Sequence, residues 1–380
     1  MATYRIGFIL EQTLGHVTHS QNLQTNVLND RSIDAHWGLL AWETSGLTRH
    51  VPLYNRNWTI RAGLRARKII AALHRRVGLD GLFFHTQVPA VLSTRWMKRI
   101  PSVVSLDATP SQYDRFGQFY AHATGPSWLE RWKWHYHGAC FREAQHIVTW
   151  SQWTKQGLID EYGVPGEKIT VIPPGVNTHQ WTCHASRRRS TQVIKILFVG
   201  SELQRKGGLL LLEAFRRLRS KILWQPGGSQ VQLELHLVTR TKLKLPRERG
   251  LFVYNDMKPN SRLLKDLYFD SDIFCLPTYG DFLPMVLSEA GAAGLPVVST
   301  RLAAIPEIVQ DGETGFLIPA GDVQALVVTL QRLAVDSDLR LQLGARAVAV
   351  ARQRFDAERN TSRLLELLKY VVDEARNKTK

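Results

Sequence analysis

The first part of the chain alternates short apolar runs with segments of helical periodicity. The apolar runs have the length of β-strands and stand at 5–10, 81–84, 102–106 and 146–149. Helical patterns begin near Thr18 and recur in the stretch 69–73. Strands that alternate with helices predict a parallel sheet with helices on both faces.

The pattern breaks near 171–177 and then restarts. Residues 171–177 are typical of a strand end and a rigid turn, and 178–192 are polar without periodicity, which predicts a linker. The strands predicted beyond it are 194–200, 233–238, 251–254, 273–277 and 296–300. The predicted helices are 207–219, 263–269 and 284–293, two that start at Val323 and Leu339, and an amphipathic helix at 355–375.

These patterns predict an α/β protein with two doubly wound, Rossmann-like domains in tandem. The predicted domains are 1–177 and 193–354, joined by the linker 178–192. Ligands of such folds bind beyond the carboxyl ends of the strands. We therefore expect the site in a cleft between two facing domains.

Composition narrows the class of protein. The chain has 380 residues, of which 44% are hydrophobic and 22% charged, as in globular proteins. It shows no apolar stretch of membrane-spanning length and no secretory signal, so we expect a cytoplasmic protein. The scattered cysteines Cys140, Cys183 and Cys275 fit a reducing compartment and argue against a thiolate zinc site.

The net charge of +16 predicts attraction to polyanions. Nucleic acid, anionic lipid and a phosphorylated ligand all fit such a charge. The sequence lacks a basic tail and a recognisable nucleic-acid module, so we do not expect a nucleic-acid partner.

The loop after the strand 194–200 has the pattern of a phosphate site. Gly200 ends the strand, Arg205 and Lys206 follow in the loop, and Gly207 opens a helix. Glycines allow close approach of the backbone, and a helix N-terminus favours anions. By itself the pattern also fits a solvated basic turn.

Two carboxylates flank the start of the helix 284–293. Asp281 lies in the loop at the carboxyl end of a strand, and Glu289 lies on the helix. Ionised carboxylates accept hydrogen bonds from hydroxyls in pairs, as ribose or hexose requires. Asp281 as a helix cap and Glu289 as a surface charge remain open alternatives.

The run 281–300, DFLPMVLSEAGAAGLPVVST, resembles the E-x7-E region of glycosyltransferase family 4. The resemblance extends over most of the chain after residue 145 and is faint before it. Further similar segments are 162–165 (YGVP), 171–177 (VIPPGVN), 198–200 (FVG), 206–207 (KG), 305–309 (IPEIV) and 311–319 (DGETGFLIP).

The resemblance implies the GT-B fold and a retaining glycosyltransferase that uses a nucleotide sugar. We expect it to be of the hexosyltransferase type and to need neither a metal nor a cofactor, since basic side chains and helix N-termini can neutralise the leaving diphosphate. The second domain would hold the donor: Lys206 and Arg205 the diphosphate, Glu289 the ribose, and Asp281 the donor sugar. The last helix would cross back to the first domain. Further donor-binding residues would be Gly200, Gly207, Phe282, Leu283, Pro284 and Met285.

The sequence also departs from the family pattern. Asp281 replaces a glutamate, Leu283-Pro284 replaces Phe-Gly, and Ser201 replaces an arginine. Asp107 stands where the family often has a histidine, and it either orients or deprotonates the acceptor hydroxyl or caps the following turn. We name Asp107 and Asp281 as candidate catalytic residues.

The acceptor side is predicted less specifically. Gly15 and His16 follow the first strand and should line the cleft on the acceptor side. The acceptor would be a glycan, a lipid-linked molecule or a small hydroxyl compound, as in polysaccharide or glycolipid biosynthesis. A non-catalytic nucleotide-sugar-binding protein and, less favoured, a nucleic-acid-binding protein remain the alternatives.

Two patterns suggest a metal and have simpler interpretations. The triplet Asp270-Ser271-Asp272 precedes a strand instead of following one, so we interpret it as a helix end. His135, His137 and Cys140 lie among several tryptophans, which favours an aromatic helix that packs on the first sheet. We therefore expect no metal site.

A basic run without acidic residues suggests a membrane surface. It contains Arg56, Arg61, Arg65, Arg67, Lys68, Arg75 and Arg76. Ile70, Leu73 and Val77 recur at helical spacing between them, so the run predicts an amphipathic helix. Such a helix either docks on the inner face of an anionic membrane or only covers its own sheet, with its arginines solvated.

Overall fold

The computed structural model describes residues 3–13, 15–43, 57–120, 125–181, 192–221, 223–224, 228, 230–243 and 248–378. The chain divides into two compact units by its contacts. Unit 1 comprises residues 1–174 and 357–380, and unit 2 comprises 175–356. Most of the predicted linker, 182–191, lies outside the described residues, and the domain boundaries drawn from the sequence stay a prediction.

The described strands of unit 1 form one parallel sheet in the order β2-β1-β3-β4-β5-β6. The strands are β1 (Tyr4–Gln12), β2 (Ile33–Ala41), β3 (Gly81–Phe84), β4 (Ser102–Leu106), β5 (His146–Thr149) and β6 (Ile169–Val171). The α-helices are α1 (His16–Val27), α2 (Trp58–Val77), α3 (Gln87–Ala90), α4 (Thr94–Met97), α5 (Pro110–Arg115), α6 (Ser127–Glu143), α7 (Gln152–Tyr162) and the last helix of the chain, Ala357–Lys378.

The sheet of unit 1 has a hydrophobic core on each face. One core contains residues of α2, α3, α4, α6 and α7 beneath one face of the sheet. The other contains residues of α1 and of the last helix. The last helix therefore completes unit 1, although the rest of that unit ends at Pro174.

Unit 2 repeats the doubly wound arrangement. Its described strands follow the order β10-β9-β7-β11-β12-β13, all parallel, with β8 antiparallel beside β9. The strands are β7 (Val193–Val199), β8 (Leu223–Trp224), β9 (Gln230–Val238), β10 (Leu251–Tyr254), β11 (Ile273–Leu276), β12 (Val297–Thr300) and β13 (Gly315–Ile318). The α-helices are α8 (Gly208–Arg219), α9 (Arg262–Asp270), α10 (Met285–Ala292), α11 (Ile305–Ile308), α12 (Val323–Val335) and α13 (Ser337–Arg354), which makes Ala357–Lys378 α14.

The strand order reverses once in each unit. In unit 1 the reversal lies between β1 and β3, and in unit 2 it lies between β7 and β11. Loops that leave neighbouring strands on opposite sides of a parallel sheet open a crevice at such a switch point. We therefore expect the sequence-predicted residues to lie at these two switch points.

Three of the described strands were missing from the sequence-based prediction: β2, the two-residue β8, and β13. The predicted start of the last helix was also too early, since α14 begins at Ala357. Among the described residues, every helix is too short or too polar to cross a bilayer.

Candidate active site

The switch point of unit 2 brings the loop after β7 against the loop after β11. The backbone N–H of Tyr279 donates to the carbonyl of Arg205 at 2.9 Å, and the Thr278 hydroxyl donates to the same carbonyl at 3.2 Å. Gly207, at φ +77°, is the N-cap residue of α8 and lies beside Pro277. A Cβ on Gly207 would lie 1.9 Å from the Pro277 carbonyl oxygen, so only glycine permits this approach.

Arg205 holds the two loops together. Its guanidinium donates to the carbonyl of Gly280 at 2.7 Å and to the carboxylate of Glu202 at 2.8 and 3.2 Å. The side chain is buried. Because these contacts occupy it within the loop, Arg205 has a structural task that the sequence did not reveal.

Lys206 forms an ion pair with Asp281 across the same switch point. Their side chains are 15% and 13% exposed, so the pair reaches solvent only at its edge. Burial lowers the pKa of the Lys206 ammonium, and the neighbouring Asp281 carboxylate acts in the opposite direction. The structure thus joins two of the residues singled out in the sequence.

The chain turns from Asp281 directly into α10. Asp281 accepts the backbone N–H of Phe282 at 3.1 Å, and Pro284 is the residue that caps α10. Phe282, Leu283 and Met285 are buried. The first backbone N–H groups of a helix lack intrahelical partners, so this turn presents donors near Asp281.

Glu289 lies further along α10, buried against α9. Its carboxylate accepts the Tyr268 hydroxyl at 2.9 Å. Burial raises the pKa of Glu289 to about 7, while the Tyr268 hydrogen bond and the charge of Lys265 pull it down. The alternative of a surface charge is therefore wrong for Glu289. Tyr268 and Lys265 were missed in the sequence, because partners far apart along the chain leave no local pattern.

Gly200 follows β7 and packs closely behind the loop that carries Lys206. A Cβ there would lie 2.9 Å from the ring of Phe198 and 3.0 Å from the Cβ of Lys206. Its backbone N–H donates to the carbonyl of Val238 at 2.9 Å. Gly200 thus belongs to the wall of the loop that carries Lys206.

Asp107 follows β4 in unit 1. Its carbonyl accepts the hydroxyl of Thr154 at 2.5 Å, which ties the strand end to α7. The cap of the following helix α5 is Thr109, whose side chain accepts the backbone N–H of Gln112 at 3.0 Å. Thr109, and not Asp107, is therefore the cap of α5, and both interpretations of Asp107 stay predictions.

A cluster of imidazoles lies at the switch point of unit 1. His85 follows β3 and is fully buried, with ring centroids 5.0 Å from His16 and 4.8 Å from His19. Trp150, after β5, stacks on His85 at 5.7 Å. Burial lowers the pKa of His85 far below its ordinary range and that of His19 to about 3, so these rings are neutral. We call His16, His19 and His85 the histidine cluster.

Gly15 stands at the edge of this cluster. It is exposed, and a Cβ on it would meet nothing within 4 Å. Its φ of −67° is open to any residue. Glycine is therefore not required at this position for steric reasons.

A buried carboxylate that was not predicted from the sequence lies beside the histidine cluster. Glu11, near the end of β1, accepts the Thr13 hydroxyl and the Trp58 indole N–H, each at 2.7 Å. Its other oxygen accepts the Thr86 hydroxyl at 2.5 Å. These bonds tie the ends of β1 and β3 to the start of α2.

The metal-like patterns have structural roles. Asp270 ends α9 as predicted, and the carboxylate of Asp272 accepts the backbone N–H of Lys195 at 2.9 Å. Cys140 lies in the core of unit 1, where burial raises its thiol pKa to about 12. In the described part of the chain, no group of three His, Cys, Asp or Glu side chains is placed to hold a metal ion.

The predictions for α6 and α2 need correction. Helix α6 packs on the first sheet as predicted, through Cys140 and Phe141. Trp128 and Trp132 of α6 are 64% and 54% exposed, so these two aromatic side chains do not take part in that packing.

The helix α2 buries Ala62, Ala66 and Ile70, as expected for a helix on its own sheet, but not all of its arginines are solvated. Arg61 is buried and donates to the carbonyl of Trp42 at 3.0 Å, and Arg65 donates to the carbonyls of Ala41 and Glu43. Arg56 lies outside the described residues.

Comparison with protein families matches most of the chain in two segments. Residues 33–180 match the family described as Glycosyltransferase Family 4, and residues 193–336 match the one described as Glycosyl transferases group 1. D-inositol 3-phosphate glycosyltransferase of Corynebacterium diphtheriae is 30% identical over 210 residues, which cover 50% of this chain and 48% of the relative. The chain spans about half the length of the curated relatives it matches.

Solved structures with the same fold cover almost all of the chain. Sucrose-phosphate synthase of Thermosynechococcus elongatus superposes with a TM-score of 0.74 at 15% identity, covering 98% of this chain and 100% of the other. HepE of Anabaena, solved with UDP-glucose, superposes with a TM-score of 0.68 at 18% identity, covering 96% and 99%. At these identities the likeness establishes the fold, which is GT-B as predicted.

Proposed function

Because this chain belongs to the family 4 glycosyltransferases, we propose that it transfers a sugar from a nucleotide-sugar donor to an acceptor hydroxyl, with retention at the anomeric carbon. The observation that carries the proposal is the switch point of unit 2. There Lys206, Asp281 and Glu289 come from loops and a helix that the fold brings to one end of the sheet.

Each of the three side chains suits one part of a nucleotide sugar. The Lys206 ammonium, beside the start of α8, would neutralise the diphosphate as it leaves. The buried Glu289 carboxylate would accept from the ribose hydroxyls. Asp281, with the backbone N–H groups at the start of α10, would bind hydroxyls of the donor sugar.

The Lys206–Asp281 pair suggests how the donor is exchanged. Without donor, the ammonium is balanced by Asp281. A diphosphate would take over as its counterion and leave Asp281 to accept hydroxyls of the sugar. Both residues would then be held in place before the donor arrives, which reduces the cost of ordering them. Arg205 would stabilise this arrangement through its hydrogen bond to the carbonyl of Gly280, the residue before Asp281.

The same arrangement supports a transfer reaction that needs no metal ion. The charge of the leaving diphosphate would be met by Lys206 and by helix N-termini, which supply positive potential without an ion. UDP-glucose is bound by HepE of Anabaena, so uridine diphosphate sugars are the first donors to test here.

The acceptor side is proposed for unit 1. Asp107, after β4, and His16, at the start of α1, lie at the carboxyl ends of strands, where this fold class binds ligands. Asp107 would orient or deprotonate the acceptor hydroxyl. We propose an acceptor at the inner face of a membrane, since exposed basic side chains line α2 of the same unit.

The test is a donor screen followed by turnover. Thermal shift with UDP-, GDP- and ADP-sugars should identify a donor, and product stereochemistry should be read by NMR. Lys206→Ala and Glu289→Ala should each lower turnover by at least about a hundredfold, as expected for loss of several kcal/mol of transition-state stabilisation. Lys221→Ala, at an exposed position of unit 2, is the matched control.

The outcomes separate the alternatives. Near wild-type turnover of Lys206→Ala would overturn the site assignment. A donor that binds but is neither transferred nor hydrolysed with any acceptor would favour a non-catalytic nucleotide-sugar-binding protein.

A further inference from the structure

Helix α6 carries large aromatic side chains on its solvent side. Trp128, Trp132 and Tyr136 are 64%, 54% and 37% exposed. Their spacing of four residues places them along one side of the helix, and the rings of Trp132 and Tyr136 lie 4.1 Å apart. We call Trp128, Trp132 and Tyr136 the aromatic ridge.

The opposite side of α6 is used for packing. Cys140 and Phe141 are fully buried in the core of unit 1. Trp134 donates its indole N–H to the carbonyl of Glu161 at 3.0 Å and stacks on Tyr162. The aromatic ridge is therefore additional to what α6 needs to hold its place in the fold.

The charges around the ridge are mostly positive. Glu130 is neutralised by Lys133 at 2.8 Å and Glu143 by Lys98 at 3.4 Å, whereas Arg131 is exposed next to the ridge. Helix α4, which contacts α6, carries the exposed Arg95, and the exposed Arg99 follows it. Helix α2 lies over the same face of the sheet. Its exposed basic residues are Arg67, Lys68, Arg75 and Arg76.

We propose that the aromatic ridge and these basic side chains dock unit 1 on the interface of an anionic membrane. Tryptophan and tyrosine prefer the headgroup region, because the ring is apolar and its N–H or O–H keeps a polar partner. Arginine and lysine beside them attract anionic headgroups, and salt screens that attraction. Charge complementarity favours a membrane over a second copy of this chain, whose matching surface would also be basic.

This surface differs from the one that the sequence suggested. Arg61 and Arg65 donate hydrogen bonds to backbone carbonyls and so cannot serve as the lipid contacts. The main membrane contacts are therefore assigned to α6 instead of α2. The docking surface rests on the proposed function in one respect. It would bring a glycosyltransferase to an acceptor that is held in the membrane.

The experiment measures binding of the full chain to vesicles. Phosphatidylcholine vesicles with about one third phosphatidylglycerol are titrated at low salt, and binding is followed by co-sedimentation and by quenching of tryptophan emission with brominated lipid. We expect binding to anionic vesicles, little to pure phosphatidylcholine, and loss as salt is raised. The double variant Trp128→Ala/Trp132→Ala should weaken binding at least tenfold.

A matched control keeps the result specific. Trp224→Ala in β8 removes a tryptophan of similar exposure, 58%, from unit 2 and should leave vesicle binding unchanged. Arg67→Glu/Lys68→Glu should weaken binding without reducing the thermal shift by the donor. Thermal unfolding of each variant confirms that it is folded.

Several results would overturn the docking surface. These are vesicle binding that the tryptophan variants leave intact, binding equal on neutral and anionic vesicles, or quenching of the ridge by soluble oligosaccharide alone. A concentration-dependent dimer that the double variant abolishes would assign the ridge to a second copy instead. Vesicle binding without any sugar transfer would sustain this surface while removing the proposed function.

Discussion

The ionisation of Glu289 should set the pH dependence of donor binding. Burial raises its pKa to about 7, above the ordinary value of 4.5. Only the ionised carboxylate accepts from two hydroxyls with full strength. As the pH falls below 7, the ionised fraction drops about tenfold per unit, which corresponds to about 1.4 kcal/mol of donor-binding free energy. Above about pH 8, affinity should be constant.

Two neighbours of Glu289 make it possible to distinguish its titration from a general effect of pH on the protein. Both the Tyr268 hydroxyl and the Lys265 ammonium pull the pKa of Glu289 down. Tyr268→Phe and Lys265→Met should therefore shift the midpoint of the affinity profile to higher pH. Glu289→Gln should give weak binding that no longer varies across this range.

The measurement is calorimetric titration of the donor found in the screen, between about pH 5.5 and 8.5. Tyr370→Phe, at an exposed position of α14, serves as the control and should leave the midpoint where it is. A downward shift in Tyr268→Phe, or an unchanged profile in Glu289→Gln, would show that Glu289 does not receive the ribose.

Three further predictions test other parts of the molecule. Gly207→Ala should destabilise unit 2 by more than about 2 kcal/mol in urea unfolding, because its Cβ would meet the Pro277 carbonyl, whereas Gly15→Ala should be neutral. The pKa of His19 is about 3 in the folded chain and 6.5 in the unfolded chain, so between these values only the unfolded chain binds the proton. The free energy of unfolding of unit 1 should therefore fall by about 1.4 kcal/mol per pH unit as the pH drops below 6.5. His19→Gln should reduce that slope, and an unreduced slope would contradict the assignment. Turnover should persist in EDTA, and complete loss that manganese restores would refute metal independence.

The sequence predicted most strands because buried parallel strands are nearly continuous apolar runs. Strand β2 was not predicted because it carries Asp34 and His36 among its apolar residues. Among the described strands it lies at the edge of its sheet and pairs with β1 alone. Strand β13 is an edge strand as well and is short. Edge positions thus weaken the pattern on which the prediction depends.

The residues of the candidate site could be predicted only where a single local segment of the sequence contains the pattern. Lys206 and Asp281 stood out through their local loops, and the structure pairs them. The histidine cluster and the partners of Glu289 depend on which strand ends and helices become neighbours, which local sequence does not state. The direction in which Trp128 faces likewise depends on which side of α6 meets the sheet.

The division of the chain has a consequence for its biosynthesis. Unit 2 is an insertion within unit 1, because α14 returns to cover one face of the first sheet with Leu364, Leu368 and Val372. A nascent chain can therefore complete unit 2 on the ribosome while the first sheet still has an uncovered apolar face. Unit 1 gains this cover only when α14 emerges, so expressing 1–174 alone should yield an incomplete, aggregation-prone fragment. Joining α14 to it through a short linker should restore a soluble domain.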